Sequence, residues 1–376
     1  MRVCVVCAGG IVSGKEIMAL ELVTGLQNAG YQVEVVSSCW GNEEFLQRLH
    51  ASRVHTFLMR LGFISATFSA AAIRMTLHQL CYWPGLLFAW ARFLRRFRIE
   101  KVIHTTWHHL LLLSPLLDRS RDIYWAHEVL PSSPQYRVVF RRLQPRIQYF
   151  IAVSKVVAES LLRLGIDPGK VRVVHNGIHD PVDGLSITGR AARCPRIAIA
   201  GQVGEWKGHD DLLMAFSILQ REHPECELHI IGRGSDDYER KLKALVSELR
   251  LTKKVIWRGF VSDKRDIYNG IDVCVVPSRF QEPFGMTAVE AGFFRIPVIA
   301  TCQGGLVEII DDKVTGFLVS PRCPSELAAR LSELLKNDNL RNEMGERARF
   351  KMLSDFGRDN FLSAFRRVLH EQEGLQ

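Results

Sequence analysis

The sequence of 376 residues has no long apolar run, no low-complexity tract and no repeat of fixed period. In its first half, the uncharged stretches Leu61–Ile73 and Met75–Ala91 are shorter than the about 20 apolar residues that a membrane-spanning helix needs. Neither stretch predicts a transmembrane span. The opening run Val3–Ala8 is followed by glycines, which is typical of a first β-strand and not of a signal peptide. We therefore expect a cytoplasmic protein.

Cysteine pairs and metal-ligand patterns are also scarce. The nine cysteines are odd in number and lie apart, which excludes a disulfide scaffold and indicates reduced thiols. The one close pair, Cys4 and Cys7, lies inside an apolar strand pattern, whereas a redox Cys-x-x-Cys motif opens a helix. Core packing is therefore the favoured interpretation. His104, His108 and His109 have no cysteine or carboxylate at ligand spacing, so we predict no metal site and no cofactor.

Positive charge is present in excess, but only in one half of the chain. Residues 1–190 contain 22 Lys and Arg residues against 13 Asp and Glu residues, whereas residues 191–376 contain 27 of each. Seven arginines and a single acid fall within residues 51–100. The first half is therefore expected to meet an anionic partner.

Short apolar runs alternate with helix-period segments along the whole chain. Continuous apolar strands between helices predict an α/β fold with parallel sheets covered on both faces. The runs form two series separated by the polar, Gly- and Pro-containing segment Asp180–Cys194. We predict two doubly wound domains, residues 1–185 and 186–355, and a C-terminal helix in residues 356–376 that crosses back to the first domain.

A glycine-rich loop follows the first strand and contains Gly10 and Gly14. Its pattern is that of a phosphate-binding loop, except that Glu16 stands where a Ser or Thr would ligate Mg²⁺. A carboxylate there would repel phosphates, so a nucleotide hydrolase or kinase is not favoured. The loop is either a ligand-contacting turn at a helix start or a purely structural one.

A second loop carries two acids at close spacing. A strand ends at Val276, Glu282 follows in the loop, a helix begins near Gly285, and Glu290 lies two turns into that helix. Two such carboxylates can bind different hydroxyl groups of one ligand beside the positive end of the helix dipole. The alternative is a capping Glu and a solvated Glu, and the spacing alone does not decide between them.

The segment from Glu282 to Ala291 reads Glu-Pro-Phe-Gly-Met-Thr-Ala-Val-Glu-Ala, which resembles the signature of the family 4 glycosyltransferases. Further segments fall in the order and spacing of that family between residues 170 and 340: Val174–Ile178, Gly201–Gly208, Ile230–Gly234, Gly304–Glu308 and Thr315–Phe317. The resemblance implies the GT-B fold, in which two Rossmann-like domains face each other across a cleft. It also implies a retaining glycosyltransferase that uses a UDP- or GDP-type nucleotide-diphosphate sugar as donor.

The resemblance also implies roles for single residues. Lys207 would neutralise charge on the leaving diphosphate, a preorganised electrostatic effect. Glu290 would bind the ribose, and Glu282 would bind the donor sugar. The other implied contacts are backbone groups of Phe284, Gly285 and Met286 to the sugar, amides of Gly304 and Gly305 to the phosphates, and His127 to the reacting sugar or the acceptor.

One position departs from the family pattern. The family often has an arginine five residues before the lysine, and this chain has Gln202 there. Arg233 or Arg279 is the candidate replacement for the missing charge. No Asp-x-Asp motif occurs in the sequence, which agrees with a transferase that needs no metal ion.

The sequence indicates less about the acceptor than about the donor. Arginines beside Trp83, Phe88, Trp90 and Phe93, in an apolar helical segment of about residues 56–98, predict an interfacial region that binds an anionic membrane. The alternative is an ordinary helical layer over the first sheet. The membrane hypothesis fits a saccharide or lipid-linked acceptor of polysaccharide or lipopolysaccharide synthesis and a peripheral location on the inner face of the cell membrane.

Three other functions remain as alternatives. A nucleotide-sugar epimerase or a phosphorylase uses a similar scaffold, although an epimerase normally lacks the pair of acids. A nucleic-acid-binding protein is the third alternative, since the isoelectric point is about 9.2. Its arginines, however, lie among Leu, Phe, Ala and Trp and not on a dedicated basic helix, so we expect no nucleic-acid partner.

Overall fold

The computed structural model describes residues 1–8, 14–40, 43–62, 70–184 and 194–371, with the side chains of 70–73 and 75 left out. It divides into two compact units. The first unit comprises Met1–Ile178 and the residues from Arg358 onward, and the second comprises His179–Gly357. The predicted domain boundary between residues 185 and 186 lies outside the described residues.

The first unit is built on a seven-stranded parallel sheet with the order β3-β2-β1-β4-β5-β6-β7. Its strands are Arg2–Val6 (β1), Gln32–Ser38 (β2), His55–Met59 (β3), Lys101–His104 (β4), Asp122–Ala126 (β5), Phe150–Ala152 (β6) and Val171–Val173 (β7). Every residue of β5 is buried, because both faces of the sheet are covered.

Eight helices cover this sheet in the described part of the first unit. They are Gly14–Asn28 (α1), Glu43–Ala51 (α2), Ala70–Cys81 (α3), Trp83–Phe97 (α4), Trp107–Leu112 (α5), Pro134–Leu143 (α6), Lys155–Arg163 (α7) and, from the end of the chain, Arg358–His370 (α15). Ser154 caps α7, since its side chain accepts a hydrogen bond from the N–H of Val157 at 3.3 Å.

The helix α15 completes the core of the first unit. Phe361 and Phe365 pack on the fully buried Trp125 of β5, with ring centroids 5.8 and 5.1 Å away. Arg358 donates a hydrogen bond to Thr24 of α1 at 2.6 Å and forms an ion pair with Glu21 at 3.2 Å. The C-terminal helix is therefore part of the first unit, although the second unit precedes it in the sequence.

The second unit has a six-stranded parallel sheet with the order β10-β9-β8-β11-β12-β13. Its strands are Arg196–Ala200 (β8), Glu227–Ile231 (β9), Val255–Gly259 (β10), Val273–Val276 (β11), Val298–Thr301 (β12) and Gly316–Val319 (β13). Its helices are His209–Leu219 (α8), Asp236–Glu248 (α9), Lys264–Tyr268 (α10), Met286–Phe293 (α11), Leu306–Ile309 (α12), Pro324–Lys336 (α13) and Asp338–Asp355 (α14). The two doubly wound parallel sheets confirm the predicted fold class.

The predicted apolar helical segment of about residues 56–98 is wrong in part. The strand β3 occupies its beginning. Among the described residues it pairs only with β2, so it is an edge strand with partly exposed residues and no clear apolar run. Trp90 and Phe93 of α4 are buried in the core against β1, β2 and β4, and are not interfacial residues. Trp83 is half-buried and donates its indole N–H to the carbonyl of Leu112 at 2.6 Å.

The outer face of α4 is different. Phe88 is 71% exposed, and Arg92, Arg95 and Arg96 follow it at helical spacing on the same exposed face. Across the described ranges, no helix combines the length and the apolar character that crossing a membrane requires.

Candidate functional site

The candidate site in the second unit lies where neighbouring strands end. Because β8, β9, β11 and β12 are parallel and adjacent, their carboxyl ends lie at one edge of the sheet, where ligands bind in open α/β sheets. The loops after them contain most of the predicted residues. Two side-chain bonds connect these loops: Thr287 donates to the carbonyl of Ala200 at 3.2 Å, and Thr301 donates to that of Ser278 at 2.8 Å.

Lys207 and Glu282 form the centre of this edge. The Nζ of Lys207 lies 2.8 Å from Oε1 and 2.9 Å from Oε2 of Glu282. Ser278 donates a hydrogen bond to Oε2 at 2.8 Å. The two charged side chains are 22% and 16% exposed, so they are largely desolvated but open to a ligand. The structure thus brings together two residues that are 75 positions apart.

Gly208 explains how the backbone brings Lys207 to this place. The short 3₁₀ turn Glu205–Lys207 ends at Gly208, whose φ of +70° favours glycine. A Cβ there would lie 2.1 Å from the carbonyl oxygen of Pro277. The N–H of Arg279 also donates to the carbonyl of Trp206 at 2.8 Å. The loop after β8 therefore packs directly on the loop after β11.

Gly304 and Gly305 approach the same loop from β12. A Cβ on Gly304 would lie 2.2 Å from the carbonyl oxygen of Glu282, and one on Gly305 would lie 2.5 Å from that of Phe284. The N–H of Gly305 donates to the Glu282 carbonyl at 2.8 Å. This amide is therefore used inside the protein and does not point to a phosphate as predicted. The two glycines position Glu282 and Phe284 by close packing.

Glu290 is held by a second pair of side chains. Lys264 of α10 lies 3.0 Å from Oε1, and the hydroxyl of Tyr268 donates to Oε2 at 3.1 Å. Burial raises the pKa of Tyr268 well above its usual range, so this hydroxyl stays a donor. Gly285, with φ of +120°, precedes α11 and lets its first turn pack against Leu306, and Met286 is the first helical residue.

The three other basic or polar candidates have different surroundings. Arg279 is bound by two acids: its Nε lies 2.7 Å from a carboxylate oxygen of Asp211, and its Nη2 lies 2.7 Å from one of Asp210. These two carboxylates raise the pKa of Arg279. Arg233 is exposed and, within the described ranges, has no side-chain partner. Gln202 is also exposed. It lies beside Arg233, because the N–H of the next residue, Val203, donates to the carbonyl of Arg233 at 2.9 Å. Arg233 is thus a basic residue near this edge that forms no ion pair with the described acids.

The predicted residues of the first unit are only partly described. Gly10 lies outside the described residues, and Gly14 is the exposed first residue of α1. His127 follows β5, with its ring 4.2 Å from the ring of Trp125. Its Nε2 is buried and has no hydrogen-bond partner in the part of the chain that the structure describes. Burial and, to a lesser degree, Lys15 lower the pKa of His127 well below its usual range, so the imidazole is neutral.

A second histidine, on the neighbouring strand β4, has a structural partner. His104 of β4 is fully buried, and its Nε2 lies 2.7 Å from Oδ1 of the fully buried Asp122. Arg121 lies 3.0 Å from the other oxygen of Asp122. This buried network pairs the Asp122 carboxylate with His104 Nε2 and Arg121 inside the first unit.

Sequence reasoning missed three residues of the site: Ser278, Lys264 and Tyr268. Ser278 lies two residues after the end of a predicted buried strand, which is the place where ligand-binding residues collect, so this signal was available. Lys264 and Tyr268 are more than 20 residues from Glu290 and belong to no motif. Only the folding of α10 beside α11 reveals them.

Two family models match the chain in succession. Glycosyltransferase Family 4 matches residues 12–180, and Glycosyl transferases group 1 matches residues 188–351. Mannosylfructose-phosphate synthase of Agrobacterium fabrum is 33% identical over 164 residues, which are 42% of this chain and 36% of that protein. A D-inositol 3-phosphate glycosyltransferase of Streptomyces avermitilis is 31% identical over 233 residues, 57% of this chain and 50% of that protein. The chain thus spans about half or less of the length of these relatives.

Solved structures resemble the chain over nearly its full length. HepE of Anabaena, in a complex with UDP and glucose, superposes with a TM-score of 0.82 at 18% identity and covers 99% of this chain and 100% of that one. WaaG, a glycosyltransferase involved in lipopolysaccharide biosynthesis, superposes with a TM-score of 0.73 at 16% identity and covers 100% of both chains. At these identities the likeness is one of fold, and the fold is that of the GT-B glycosyltransferases.

Proposed function

We propose that the chain, which a family 4 and a group 1 glycosyltransferase model match in succession, is a glycosyltransferase that transfers a sugar from a nucleotide-diphosphate sugar. The donor is of the UDP or GDP type, and the anomeric configuration is retained. The acceptor is a saccharide or a lipid-linked saccharide. The observation that carries this proposal is the Lys207–Glu282 pair at the carboxyl edge of the second sheet.

Lys207 supplies charge for the leaving diphosphate. An ammonium group has three donors, and the two oxygens of Glu282 lie within hydrogen-bond distance of it. The pair holds the Lys207 side chain in one orientation before the donor binds. Negative charge that develops on the diphosphate then meets a cation that needs no reorganisation, which is the effect that preorganised sites use.

Arg233 is the second cation in this proposal. The position that usually carries an arginine holds Gln202, and Arg279 is already bound by two acids. Arg233 lies next to Gln202 at the end of β9, is exposed, and can form bidentate hydrogen bonds with a phosphate. Lys207 and Arg233 together replace the metal ion that other transferases use, so the reaction needs no metal cofactor.

The two acids divide the rest of the donor between them. Glu290 is fixed by Lys264 and Tyr268 in a position suited to the ribose hydroxyls. Glu282 is oriented by Ser278, and with the backbone of Phe284, Gly285 and Met286 it binds hydroxyls of the sugar that moves. In the first unit, the neutral His127 offers its buried Nε2 to the reacting sugar or the acceptor.

The acceptor is expected at an anionic membrane surface. The outer face of α4 presents Phe88 with Arg92, Arg95 and Arg96, and Arg98 follows the helix. No acid pairs with these arginines within the described residues. Such a face fits peripheral binding on the inner side of the cell membrane and a role in polysaccharide or lipopolysaccharide synthesis.

A panel of UDP-, GDP- and ADP-sugars tests the proposal. We expect one donor to raise the melting temperature and to be hydrolysed slowly to the free nucleotide diphosphate and sugar. Nuclear magnetic resonance of the product formed on an acceptor should show the anomeric configuration of the donor. A phosphorylase would instead release a sugar 1-phosphate only in the presence of phosphate, and an epimerase would return an isomerised donor. Stabilisation by DNA and by no nucleotide sugar would contradict the proposal.

A further inference from the structure

A cluster of three metal-ligand side chains lies far from the candidate site in the sheet. His223, Glu225 and Cys226 occupy the turn between α8 and β9, before the strand begins at Glu227. In the described part of the chain, it is the one group of three His, Cys, Asp or Glu residues with ligand atoms within 4.8 Å of one another. The strands of the sheet start at this edge, whereas the residues of the candidate site follow their carboxyl ends.

The orientation of His223 is determined from outside the cluster. Its Nε2 lies 3.2 Å from the hydroxyl oxygen of Ser332 on α13. That hydroxyl donates to Glu222 at 2.9 Å, and Glu222 is also bound by Lys336 at 2.7 Å. Because the Ser332 proton points to Glu222, the serine oxygen accepts from Nε2. This chain of bonds is the kind of outer support that orients metal-ligating histidines.

The other ring nitrogen then faces an acid. With the proton on Nε2, the lone pair of Nδ1 points at Oε1 of Glu225, 3.5 Å away. The Sγ of Cys226 lies 3.8 Å from the same oxygen. Two acceptors that face each other require either a second proton on the ring or a cation between them.

We propose that His223 Nδ1, the Glu225 carboxylate and the Cys226 sulfur bind a divalent zinc ion. Zinc favours mixed nitrogen, sulfur and oxygen ligands in a tetrahedral arrangement. With bond lengths of about 2.0–2.3 Å, the ligand atoms of such a site lie about 3.3–3.6 Å apart. The separations of 3.5 and 3.8 Å need little adjustment, and the ligand atoms of His223 and Cys226, which lie within 4.8 Å of each other, would approach further on binding.

The fourth ligand is water. The side chain of Cys226 is fully buried and that of His223 is 10% exposed, whereas that of Glu225 is 51% exposed. Solvent therefore reaches the ion from the Glu225 side. The bound ion connects the end of α8 to the start of β9, and through His223 and Ser332 it also fixes α13. Its role is to stabilise the second unit and not to take part in sugar transfer.

The test is zinc binding by the full chain. The protein is treated with EDTA, desalted, and titrated with zinc against a chromophoric chelator. We expect one zinc ion per chain, and with cobalt in its place we expect the thiolate-to-metal absorption of a tetrahedral site. Zinc should also raise the melting temperature. The variants Glu225→Gln and Cys226→Ser should each fail to bind this zinc ion. Glu225→Gln changes only an exposed side chain, so folding is preserved.

The control is Cys302→Ser, which removes an exposed thiol elsewhere in the second unit and should leave zinc binding unchanged. Equal zinc binding by the wild type and Glu225→Gln would overturn the proposal and indicate adventitious binding to other thiols. Absence of binding by the wild type would also overturn it, and a protonated His223 paired with Glu225 would then explain the geometry.

Discussion

The carboxyl edge of the second sheet and the outer face of α4 are both rich in cations, but their cations have different partners. At the carboxyl edge of the second sheet, Lys207 and Arg279 each form an ion pair with an acid of a loop or helix, whereas Arg233 forms none with the described residues. On α4, Arg92 and Arg95 are exposed, and no acid pairs with them within those same ranges. Paired charges are positioned by the fold, whereas unpaired ones remain available to an external anion.

The difference follows the distribution of charge along the sequence. The second half of the chain carries equal numbers of acids and bases, so its site is built from balanced pairs. The first half carries nine more bases than acids, and α6 repeats the pattern of α4 with the exposed Arg137, Arg141 and Arg142. The comparison suggests that a positioned cation acts in catalysis and that an excess of cations acts in localisation.

Removing the positioned cation should have the largest effect. Lys207→Ala should lower turnover by about 10²–10³, the usual loss for one preorganised donor, and Glu282→Ala should lower turnover and raise KM. The measurement is steady-state kinetics on variants with unchanged circular dichroism. Lys241→Ala, which changes an exposed lysine of the same unit, is the matched control. Near-normal turnover in both Lys207→Ala and Glu282→Ala would show that the paired charges are structural.

Neutralising the unpaired arginines should abolish most membrane binding without affecting catalysis on a soluble acceptor. Each basic residue near an anionic surface contributes about 1 kcal/mol, so replacing Arg92, Arg95, Arg96 and Arg98 with Gln removes about 4 kcal/mol. Sedimentation with anionic vesicles at increasing salt measures the loss. The control replaces four exposed bases of the second unit, which are Arg221, Lys241, Lys253 and Arg347. Equal binding of wild type and variant, or equal binding to neutral vesicles, would contradict an electrostatic role.

Arg233 tests whether a cation without an acidic partner can also be catalytic. Arg233→Ala should lower turnover roughly 10- to 100-fold, because a hydrogen bond to a charged group contributes about 1.5–3 kcal/mol. Introducing Gln202→Arg into this variant should restore much of the loss, since the two positions are adjacent. Arg240→Ala is the control for an exposed arginine of the same unit. A variant with full turnover, or one that Gln202→Arg fails to rescue, would remove Arg233 from the diphosphate site.

Glu290 should show a smaller effect of another kind. If it holds the ribose alike in the ground and transition states, Glu290→Ala should raise KM more than it lowers turnover. Tyr268→Phe removes one hydrogen bond to the same carboxylate and should shift KM in the same direction by less. Initial rates at varied donor concentration separate the two parameters. A loss confined to turnover would place Glu290 at the reacting sugar instead.

Chelation should have the smallest effect. If protein cations neutralise the diphosphate, EDTA should leave activity largely unchanged. The assay is best performed with the Glu225→Gln variant, because removal of a structural zinc ion cannot then affect the result. Complete loss of activity that Mn²⁺ or Mg²⁺ restores would show that the diphosphate depends on a metal ion.

The sequence predicted the parts of the fold that are buried on both sides. Strands such as β5 are continuous apolar runs because no face meets solvent, and the helices between them have a clear period. The edge strand β3 is not predicted, because its residues are partly exposed to solvent and therefore form no continuous apolar run. Within α4, composition could not separate the inward Trp90 from the outward Phe88, because both are aromatic residues near arginines.

The candidate site was predictable where one loop carries the pattern, as in the segment from Glu282 to Glu290. What could not be predicted are the partners that come from other elements. Lys264 and Tyr268 reach Glu290 from α10, and Asp210 and Asp211 reach Arg279 from α8. Their spacing in the sequence follows no rule, so only the packing of the helices reveals which arginine remains open to a ligand.

The position of α15 has a consequence for the order of events during synthesis. The buried face of Trp125 is covered by Phe361 and Phe365, which leave the ribosome long after the rest of the first unit. At translation rates of about 5–20 residues per second, the interval between Ile178 and His370 lasts roughly 10–40 s. During that time the nascent first unit exposes an apolar surface, which makes it a substrate for chaperones. Loss of α15 by premature termination would leave this exposed state permanent, although the second unit would be intact.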